Sequence, residues 1–239
     1  MVKPGRREPP AAVILCAGKG TRLGSLTKSC PKPLLKIRGK AILEHNVELC
    51  ARHGVTRLFI NLHHRPEMIR RRFGDGSRWG VSIKYLFERS LLGTAGGVKN
   101  FERWLGPDPF LVIYGDNWID YDLTALLERH VASKADMSVA VFPMPDARQS
   151  GVVLMTASGR IREFVEKPAS NRPRSGWVNM GVYVMEPRLL GSIPPGASDF
   201  GRDVIPRFIR DGRKIMAVKM SRIVRYIDTP ELYEKWRGR

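Results

Sequence analysis

Cysteine is scarce in this chain of 239 residues, which contains only Cys16, Cys30 and Cys50. Three cysteines at irregular intervals are too few for a disulfide scaffold, and they lack the paired spacing of zinc sites. Long apolar runs are absent as well, since no stretch approaches the ~20 residues that a membrane-spanning helix requires. These absences exclude a disulfide-stapled protein and a helical membrane protein. They favour a cytoplasmic protein without a membrane partner.

Acidic residues are also scarce, because 23 Asp and Glu face 41 Lys and Arg and leave a formal net charge of +18. Such a charge suits nucleic acid, an anionic membrane surface or a polyanionic small substrate as the partner. The basic residues are scattered, apart from Arg70-Arg71-Arg72, and no basic motif with interleaved aromatics of the RNA-binding kind is present. We therefore expect a solvated basic surface and no nucleic-acid partner. A nucleic-acid-binding protein remains the alternative that rests on charge alone.

The length of the chain fits one large α/β domain better than two small ones. The charges at the N-terminus have no apolar segment behind them until residue 11, so this end does not resemble a signal peptide. We predict a flexible tail over residues 1–10 and a single domain over residues 11–239. No internal repeat and no low-complexity linker divides that domain.

A glycine-rich loop follows the first apolar segment of the chain. Residues 11–17 have the length and β-branched content of a strand buried on both faces. The run ends at Gly18, and Gly20 and Gly24 follow within one short loop. Glycine lets a backbone adopt left-handed angles and approach a ligand closely, so that several N–H groups can point at one anion. Because the segment also carries the cations Lys19, Arg22, Lys28 and Lys32, we predict that it holds phosphate.

Two common phosphate-binding loops do not fit this segment. A Walker A loop would need a glycine five residues after Gly18, and the Rossmann fingerprint G-x-G-x-x-G fails because its third glycine, Gly24, is one place late. Pro31 and Pro33 also prevent the long helix that should directly follow a Rossmann loop. The segment instead resembles the signature L-x-G-G-x-G-T-R-L-x-P-L-T, followed by P-K-P-L, of the sugar-1-phosphate nucleotidylyltransferases. The matching residues are Leu15, Gly18, Gly20-Thr21-Arg22-Leu23, Leu26-Thr27 and Pro31-Lys32-Pro33-Leu34, with Ala17 and Ser25 as departures.

The resemblance implies a role for most residues of this loop. The nucleotide-binding residues would be Leu15, Ala17, Gly18, Gly20 and Thr21. Arg22 and Lys32 would be catalytic, because they would stabilise the negative charge that grows on the α-phosphate and on the departing pyrophosphate.

Two aspartates are the implied ligands of Mg²⁺, the expected cofactor. Asp116 follows an apolar run and Gly115, and ligand sites of open α/β sheets gather at such strand ends. The stretch resembles the family's N-G-D metal motif, with Tyr114 in place of asparagine. Asp116 would thus be both catalytic and metal-binding, since phosphoryl transfer needs a hard cation that takes one or two carboxylates. Asp228, which precedes Thr229-Pro230, resembles a shorter form of the second ligand, and an N-cap for the last helix is the alternative.

Three segments resemble the sugar-phosphate side of the family. Glu166-Lys167-Pro168 matches the end of F-x-E-K-P, which implies that Lys167 meets the phosphate and Glu166 a sugar hydroxyl. An ordinary Glu-Lys pair at a strand end is the alternative there. Asn179 lies in a stretch similar to N-A-G-[IV]-Y and would face the sugar. Gly151 resembles the glycine whose backbone contacts the sugar.

Residues 92–97 resemble the L-G-T-A/G-G segment beside the nucleobase, which is frequent in guanylyltransferases for mannose and heptose 1-phosphates. Gly93 and Thr94 would bind the nucleotide, and a glycine turn that starts a helix is the alternative. Glu88, just upstream, could accept hydrogen bonds from both N1–H and the exocyclic amine of guanine, whereas uracil has one donor on that edge. Relatives that use UTP can also carry an acid there. The segment therefore favours GTP without excluding other bases.

Alternating strands and helices predict the fold. The expected strands of the first half are 11–17, 55–62, 81–87, 110–114 and 137–142, with helices at 42–53, 66–73 and 91–105 and another capped by Asp122. This alternation implies a parallel sheet covered on both faces. Strands at 151–155, 161–166 and 178–185 predict an added mixed sheet, and helices near 199–210 and from Pro230 complete the chain. We predict an α/β protein with a Rossmann-like, doubly wound, mixed but mainly parallel sheet and a small added sheet for the sugar side.

The resemblance covers nearly the whole chain, from residue 11 to about residue 236. It implies an enzyme that transfers a nucleotidyl group from a nucleoside triphosphate, most favourably GTP, to a sugar 1-phosphate of the mannose or manno-heptose type and releases pyrophosphate. The alternatives are the same reaction with UTP, dTTP or CTP and another sugar 1-phosphate, and a non-catalytic regulatory paralogue that binds a nucleotide sugar. The two substrates are the expected partners, and a monomer or a homodimer is expected.

Overall fold

The computed structural model describes residues 8–147, 150–168, 176–220 and 226–238, so most of the tail predicted over residues 1–10 lies outside these ranges. The strands are β1 Ala11–Leu15, β2 Lys36–Ile37, β3 Lys40–Ala41, β4 Arg57–Leu62, β5 Ser82–Phe87, β6 Phe110–Tyr114, β7 Met137–Met144, β8 Gly151–Met155, β9 Ile161–Glu166, β10 Gly176–Met185 and β11 Ile215–Lys219. The α-helices are α1 Ile42–Arg52, α2 Pro66–Phe73, α3 Gly93–Lys99, α4 Leu123–Ser133, α5 Ile205–Arg210 and α6 Pro230–Arg237.

A long sheet organises these elements. Its central path has the strand order β11-β7-β10-β6-β1-β4-β5. β1 pairs in parallel with β4 and β6, β4 pairs in parallel with β5, and β11 pairs in parallel with β7. β10 is antiparallel to both of its neighbours in this path, β6 and β7. The prediction of a mixed, mainly parallel sheet is therefore confirmed.

The added sheet is a branch of the central sheet. β8 pairs antiparallel with β9 and also with Trp177 and Val178 at the start of β10. The sequence placed β10 in the added sheet with β8 and β9, whereas most of this strand lies between β6 and β7. Its ten residues are long enough to serve both sheets. The register against β7 shifts between Asn179 and Tyr183, where Gly181 has a φ of 70°.

Helices cover both faces of the sheet, as a doubly wound fold requires. One apolar core lies under α1, α2 and α4 and includes Val47, Ile69 and Leu126. A second core lies on the opposite face under α3 and α5 and includes Val98 and Phe208. Among the described helices, none is long and apolar enough to cross a membrane.

Local sequence signals account for several helix ends. The Asp122 carboxylate accepts a hydrogen bond from the Ala125 amide at 2.9 Å and caps α4, as predicted. Pro66 occupies the first position of α2, where its missing N–H costs nothing. The last helix, α6, packs against the 3₁₀ turn Thr21–Thr27, and Tyr233 and Leu23 share a small apolar cluster between them. The glycine loop therefore continues into a turn that packs against the last helix.

Candidate active site

A cavity of about 850 Å³ opens along the carboxyl ends of β1 and β6, within the size range of small-molecule sites. The predicted site residues on its wall are Leu15, Ala17, Gly18, Gly20, Arg22, Lys32, Glu88, Gly93, Thr94, Asp116, Gly151, Glu166, Lys167, Asn179 and Asp228. Thr21 is exposed and does not belong to this wall. The fold thus brings together nearly all of the residues that the sequence selected, from seven separate stretches of the chain.

Two glycines of the loop after β1 have left-handed φ angles; Gly24, at 56°, has open space around it, whereas Gly20 is also tightly packed. Gly20 has a φ of 65°, and a Cβ on it would approach the Thr27 side chain to 3.0 Å and Lys32 Cβ to 3.1 Å. The Thr27 hydroxyl donates to the Gly20 carbonyl at 2.9 Å and ties the end of the turn back to its start. The Arg65 guanidinium donates to the carbonyl of Lys28 at 2.8 Å. These two hydrogen bonds tie the loop to the turn that follows it and to the start of α2.

An ion cluster of Arg22, Lys32, Asp116 and Asp228 lies beside the loop. Lys32 Nζ donates to Asp116 Oδ2 at 2.8 Å and to Asp228 Oδ1 at 2.7 Å, although its side chain is only 5% exposed. Arg22 Nη1 lies 3.1 Å from Asp228 Oδ2. A lysine ammonium has three hydrogens, so one remains free to donate to another acceptor. The four charges balance within the cluster.

Burial and charge compete over the pKa values in this cluster. Burial lowers the pKa of Lys32, but the neighbouring charges of Asp116 and Asp228 outweigh it, so that the pKa lies above its ordinary value. Burial raises the pKa of Asp228, but Lys32 and Arg22 bring it below its ordinary value. The ammonium and this carboxylate therefore both remain ionised at neutral pH.

The position of Asp228 bears on its two predicted roles. The N-cap of α6 is Thr229, whose hydroxyl accepts a hydrogen bond from the Leu232 amide at 3.4 Å. The capping alternative for Asp228 is therefore wrong, and its carboxylate faces Lys32 and Arg22 instead. Asp116 and Asp228 both contact one ammonium, so the two carboxylates converge at one point of the wall.

This donor pair fits Mg²⁺, which takes one or two carboxylates and completes its shell with water and substrate phosphate oxygens. Within the described residues, no group of three or more His, Cys, Asp or Glu could hold a metal ion. A metal held mainly by protein ligands is therefore not supported there, whereas a metal shared with a polyphosphate remains a prediction.

Glu88 is held by Asn61, a residue that the sequence analysis missed. The side-chain oxygen of Asn61, Oδ1, accepts a hydrogen bond from the Cys16 backbone amide at 2.7 Å, and its Nδ2 donates to Glu88 Oε1 at 2.8 Å. Glu88 Oε2 accepts from the Leu92 amide at 3.1 Å. Each carboxylate oxygen retains a second lone pair for a ligand. A Cβ on Gly97 would lie 2.7 Å from Asn61 Nδ2, which explains why a glycine stands there.

Glu166 lies at the sugar end of the predicted site. A Cβ on Gly151 would lie 2.8 Å from Glu166 Oε2, so glycine leaves room for the carboxylate. Burial raises the pKa of Glu166, and the negative charge of Asp199 adds to this effect. Lys167 follows with a φ of 48°, a left-handed conformation that few residues other than glycine adopt.

The side-chain amide of Asn179 has one possible orientation. Its oxygen accepts from the Gly181 amide at 3.0 Å, so the nitrogen must face Tyr183, to whose hydroxyl it donates at 2.7 Å. Tyr183 donates in turn to the hydroxyl of Tyr114 at 3.1 Å. The ring of Tyr114 also packs on Gly181, where a Cβ would approach it to 2.6 Å. Tyr114, which stands where the N-G-D motif has asparagine, therefore helps to hold the Asn179 side chain in place through Tyr183.

Several residues on the cavity wall were not predicted: Asn61, Asp146, Asp199, Arg202, Tyr226, Leu232 and Trp236. One of them left a signal, because Asn61 is a polar residue inside the apolar run 58–62. Asp199 and Arg202 fell in a segment that was predicted only as a helix.

Comparisons with known proteins show the family of this chain. Residues 11–236 match the sequence profile of the family described as nucleotidyl transferase. The chain is 35% identical to the UTP–glucose-1-phosphate uridylyltransferase of Synechocystis sp., over 95% of this chain and 62% of the relative. It is also 35% identical to the mannose-1-phosphate guanylyltransferase of Mycobacterium tuberculosis, over 92% of this chain and 61% of the relative. The chain therefore spans about three-fifths of the length of these curated relatives.

Solved structures show the same fold. The structure of HddC from Yersinia pseudotuberculosis complexed with GMP-PN superimposes on this chain with a TM-score of 0.81 at 26% sequence identity. The match includes 95% of this chain and 97% of the HddC chain. A putative glucose-1-phosphate thymidylyltransferase from Bacillus anthracis superimposes with a TM-score of 0.86 at 23% identity, over 95% of this chain and 94% of the other chain. At this identity, the match shows a shared fold and nothing about function.

The sheet order and the site at its carboxyl edge define an α/β protein of the nucleotide-diphospho-sugar transferase type. Because the family profile spans nearly the whole chain, this protein belongs to the nucleotidyl transferase family.

Proposed function

We propose that this protein transfers a nucleotidyl group from a nucleoside triphosphate to a sugar 1-phosphate and releases pyrophosphate. The observation that carries the proposal is the ion cluster beside the glycine loop, on the wall of the cavity. Such a cluster offers cations to a polyphosphate and two converging carboxylates to a hard metal ion. Relatives that are named as sugar-1-phosphate nucleotidyltransferases support the same reaction class.

The proposed reaction is an in-line displacement at the α-phosphorus. A phosphate oxygen of the sugar 1-phosphate forms a new P–O bond, and the bond from the α-phosphorus to the β-phosphate oxygen breaks. Lys32 donates its third hydrogen to a phosphate oxygen, and Arg22, with a side chain that is 58% exposed, can reach the departing pyrophosphate. Lys167 orients the attacking phosphate. Catalysis of this kind consists of positioning and charge stabilisation and needs no covalent intermediate on the protein.

Mg²⁺ is the proposed cofactor, and Asp116 and Asp228 would hold it. When bound, the ion would neutralise charge on the polyphosphate during the displacement. Lys32 supports this site, because its ammonium donates to both carboxylates and so holds them close together.

GTP is the proposed nucleotide, and mannose 1-phosphate or a manno-configured heptose 1-phosphate is the proposed acceptor. The support is Glu88, a carboxylate on the cavity wall with lone pairs left for guanine N1–H and the exocyclic amine. A relative named as a mannose-1-phosphate guanylyltransferase and a structural neighbour with bound GMP-PN favour the same base. UTP with glucose 1-phosphate is the second candidate, because another relative of equal identity is named as a uridylyltransferase.

A pyrophosphate-release screen tests the reaction and its substrates together. The five common nucleoside triphosphates are each combined with a panel of sugar 1-phosphates that includes mannose, glucose and a manno-heptose. We expect release that needs both substrates and is fastest with GTP and a manno-configured acceptor. No release with any pair would reject the reaction, and preference for a pyrimidine nucleotide would reject only the guanine assignment.

Glu88 gives a sharper test of the base. ITP lacks the exocyclic amine of GTP, so we expect wild-type kcat/KM to fall about tenfold with ITP, the value of one hydrogen bond to a charged group. Glu88→Gln replaces an acceptor by a donor, and its ratio of GTP to ITP should approach one. Glu48→Gln, which changes a surface partner of Lys40, is the matched control. Equal losses with every nucleotide in Glu88→Gln would mean that the residue only supports Asn61 and Leu92.

A further inference from the structure

The start of α3 is packed against a segment of the chain about a hundred residues away, residues 196–199. Gly93 has a φ of 70°, and a Cβ on it would overlap the backbone carbonyl of Ser198. A Cβ on Gly96 would overlap the carbonyl of Gly196. Two glycines of the stretch that resembled a nucleobase segment are therefore required by close packing within the protein.

Backbone hydrogen bonds complete this contact. The Ser198 carbonyl accepts from the amides of Ala95 at 3.0 Å and Gly96 at 3.2 Å, and the Ser198 amide donates to the carbonyl of Leu92 at 2.9 Å. The amides at the start of a helix usually lack partners and can bind a ligand. Here two of them are already satisfied, so they are not free to bind a nucleotide.

Thr94 extends the contact to the cavity. Its hydroxyl donates to Asp199 Oδ2 at 3.0 Å and accepts from the Phe200 amide at 2.8 Å. A threonine hydroxyl has one hydrogen, and Asp199 takes it. Thr94 therefore cannot donate to a nucleotide without releasing Asp199, although both residues line the cavity.

Asp199 transmits this constraint to the sugar end of the cavity. Its Oδ1 accepts from the Gly201 amide at 3.1 Å, and its own amide donates to Asp203 at 2.7 Å, which fixes the start of the π-helical turn Phe200–Val204. Gly201 lies directly against Glu166, because a Cβ there would be 2.5 Å from Glu166 Oε2. Thr94 thus stands at one end of a chain of contacts that ends at the sugar-side carboxylate.

We propose that Thr94 is a positioning residue for the sugar 1-phosphate, which acts through Asp199 and the turn Phe200–Val204 on Glu166. This role of Thr94 replaces the role in nucleotide binding that the sequence pattern implied. This inference rests on the proposed function and deepens it, since it assigns a residue on the nucleotide side of the cavity to the recognition of the second substrate.

Thr94→Val tests the proposal, because valine keeps the shape of threonine and removes the hydroxyl. The KM for the sugar 1-phosphate should rise about tenfold, while the KM for the nucleoside triphosphate stays within about twofold, since a hydrogen bond to a carboxylate is lost only on the sugar side. Thr94→Ser retains the hydroxyl and should restore the sugar KM. Thr124→Val is the matched control, because Thr124 also bonds a side chain, His53 at 2.9 Å, away from the cavity.

Two results would overturn the proposal: a nucleotide KM that rises while the sugar KM is unchanged, and a sugar KM that Thr94→Ser fails to restore. The proposed function is judged separately, by pyrophosphate release in the wild type. If the wild type releases none, calorimetric titrations with a sugar 1-phosphate and with GTP still decide the inference. Weaker binding of the sugar phosphate alone in Thr94→Val supports it, and weaker binding of GTP alone overturns it.

Discussion

At the scale of single residues, Lys32 stands out because a lysine with a side chain only 5% exposed bridges two carboxylates. A buried cation is costly unless its hydrogen bonds and its charge are compensated. Asp116 and Asp228 supply both, and they in turn stay close together because the ammonium screens their repulsion. The cluster is therefore stable as a unit, because each charge in it contacts at least one charge of opposite sign.

Asp116→Asn should lower kcat by about 100-fold or more while leaving the folded state intact. An amide cannot supply an anionic metal ligand, and the loss of one electrostatic contact to a transition state has about this size. Lys32 retains Asp228 in the variant, so its charge stays compensated. The measurement is kcat over a magnesium titration together with a thermal melt. Asp120→Asn, at a half-exposed aspartate four residues on, is the control; wild-type rates in Asp116→Asn or in excess chelator would contradict the assignment.

Lys167→Ala should raise the KM for the sugar 1-phosphate about tenfold to a hundredfold and leave the nucleotide KM nearly unchanged. The lysine would make a charge-assisted hydrogen bond to one substrate only, which is worth about 1.5–3 kcal/mol. Initial rates with each substrate varied in turn measure the two constants. Lys134→Ala is a matched control, because Lys134 has the same left-handed backbone, with a φ of 50°, at the end of α4. A rise in the nucleotide KM instead would mean that the two phosphate sites are exchanged.

Residue types at fixed spacings made much of the site predictable. The glycine loop, Asp116 and the Glu166-Lys167 pair lie in short stretches whose local sequence carries the pattern. Asn61 and Asp199 act through contacts with residues that are distant in sequence, such as Cys16 and Thr94. No local pattern encodes such contacts, so they became visible only in the folded chain.

At the scale of elements, most strands were predictable, including β8 and β9 of the added sheet, whereas the two-residue strands β2 and β3 were not. β1, β4, β5 and β6 are apolar segments bounded by turn residues, which periodicity detects. β11 was missed, since only Ile215 and Val218 of its five residues are buried. The place of β10 was also missed, because a strand's own sequence does not state which strands it will pair with.

A polar network joins α4, β7 and the end of β10. His130 Nδ1 lies 2.9 Å from the Ser138 hydroxyl and its Nε2 lies 3.4 Å from Glu186 Oε1, while the ring is almost fully buried. Arg188 contacts Glu186 and also Asp136, which completes the charges around the ring. Burial lowers the pKa of His130 below its ordinary value of 6.5, and Glu186 opposes this only in part.

The free energy of unfolding should therefore fall as the pH drops below about 6.5. Below this pH the unfolded chain binds a proton at His130 more readily than the folded chain does. The stability that the neutral histidine contributes is therefore fully present above pH 6.5 and is lost as the pH falls below it. The maximal slope for one proton is about 1.4 kcal/mol per pH unit. Urea unfolding of the wild type and of His130→Gln between pH 5 and pH 8 isolates the effect. Parallel stability curves for the two proteins would show that the histidine does not titrate in this way.

At the scale of the whole molecule, the sheet separates two apolar cores, and its carboxyl edge gathers the site. This arrangement follows from the alternation of strands and helices, because connections between parallel strands are almost always right-handed. The sequence of the first half of the chain shows this alternation. The net charge of +18 greatly exceeds what the ion cluster and the other cations of the cavity account for. Within the part of the chain that the structure describes, Lys32 is the only buried Lys or Arg, so the basic residues there lie mainly at the surface.

The position of β10 also matters while the chain is being synthesised. β1, β4, β5 and β6 can assemble as soon as residue 114 has left the ribosome, because they pair with one another. The described partners of β7 are β10 and β11, which are translated later. At about 5–20 residues per second, β7 waits on the order of seconds with its apolar face uncovered. Nascent chains arrested shortly before β10 should thus be cut by protease between β6 and β7 and recruit chaperones, whereas chains arrested well beyond it should resist.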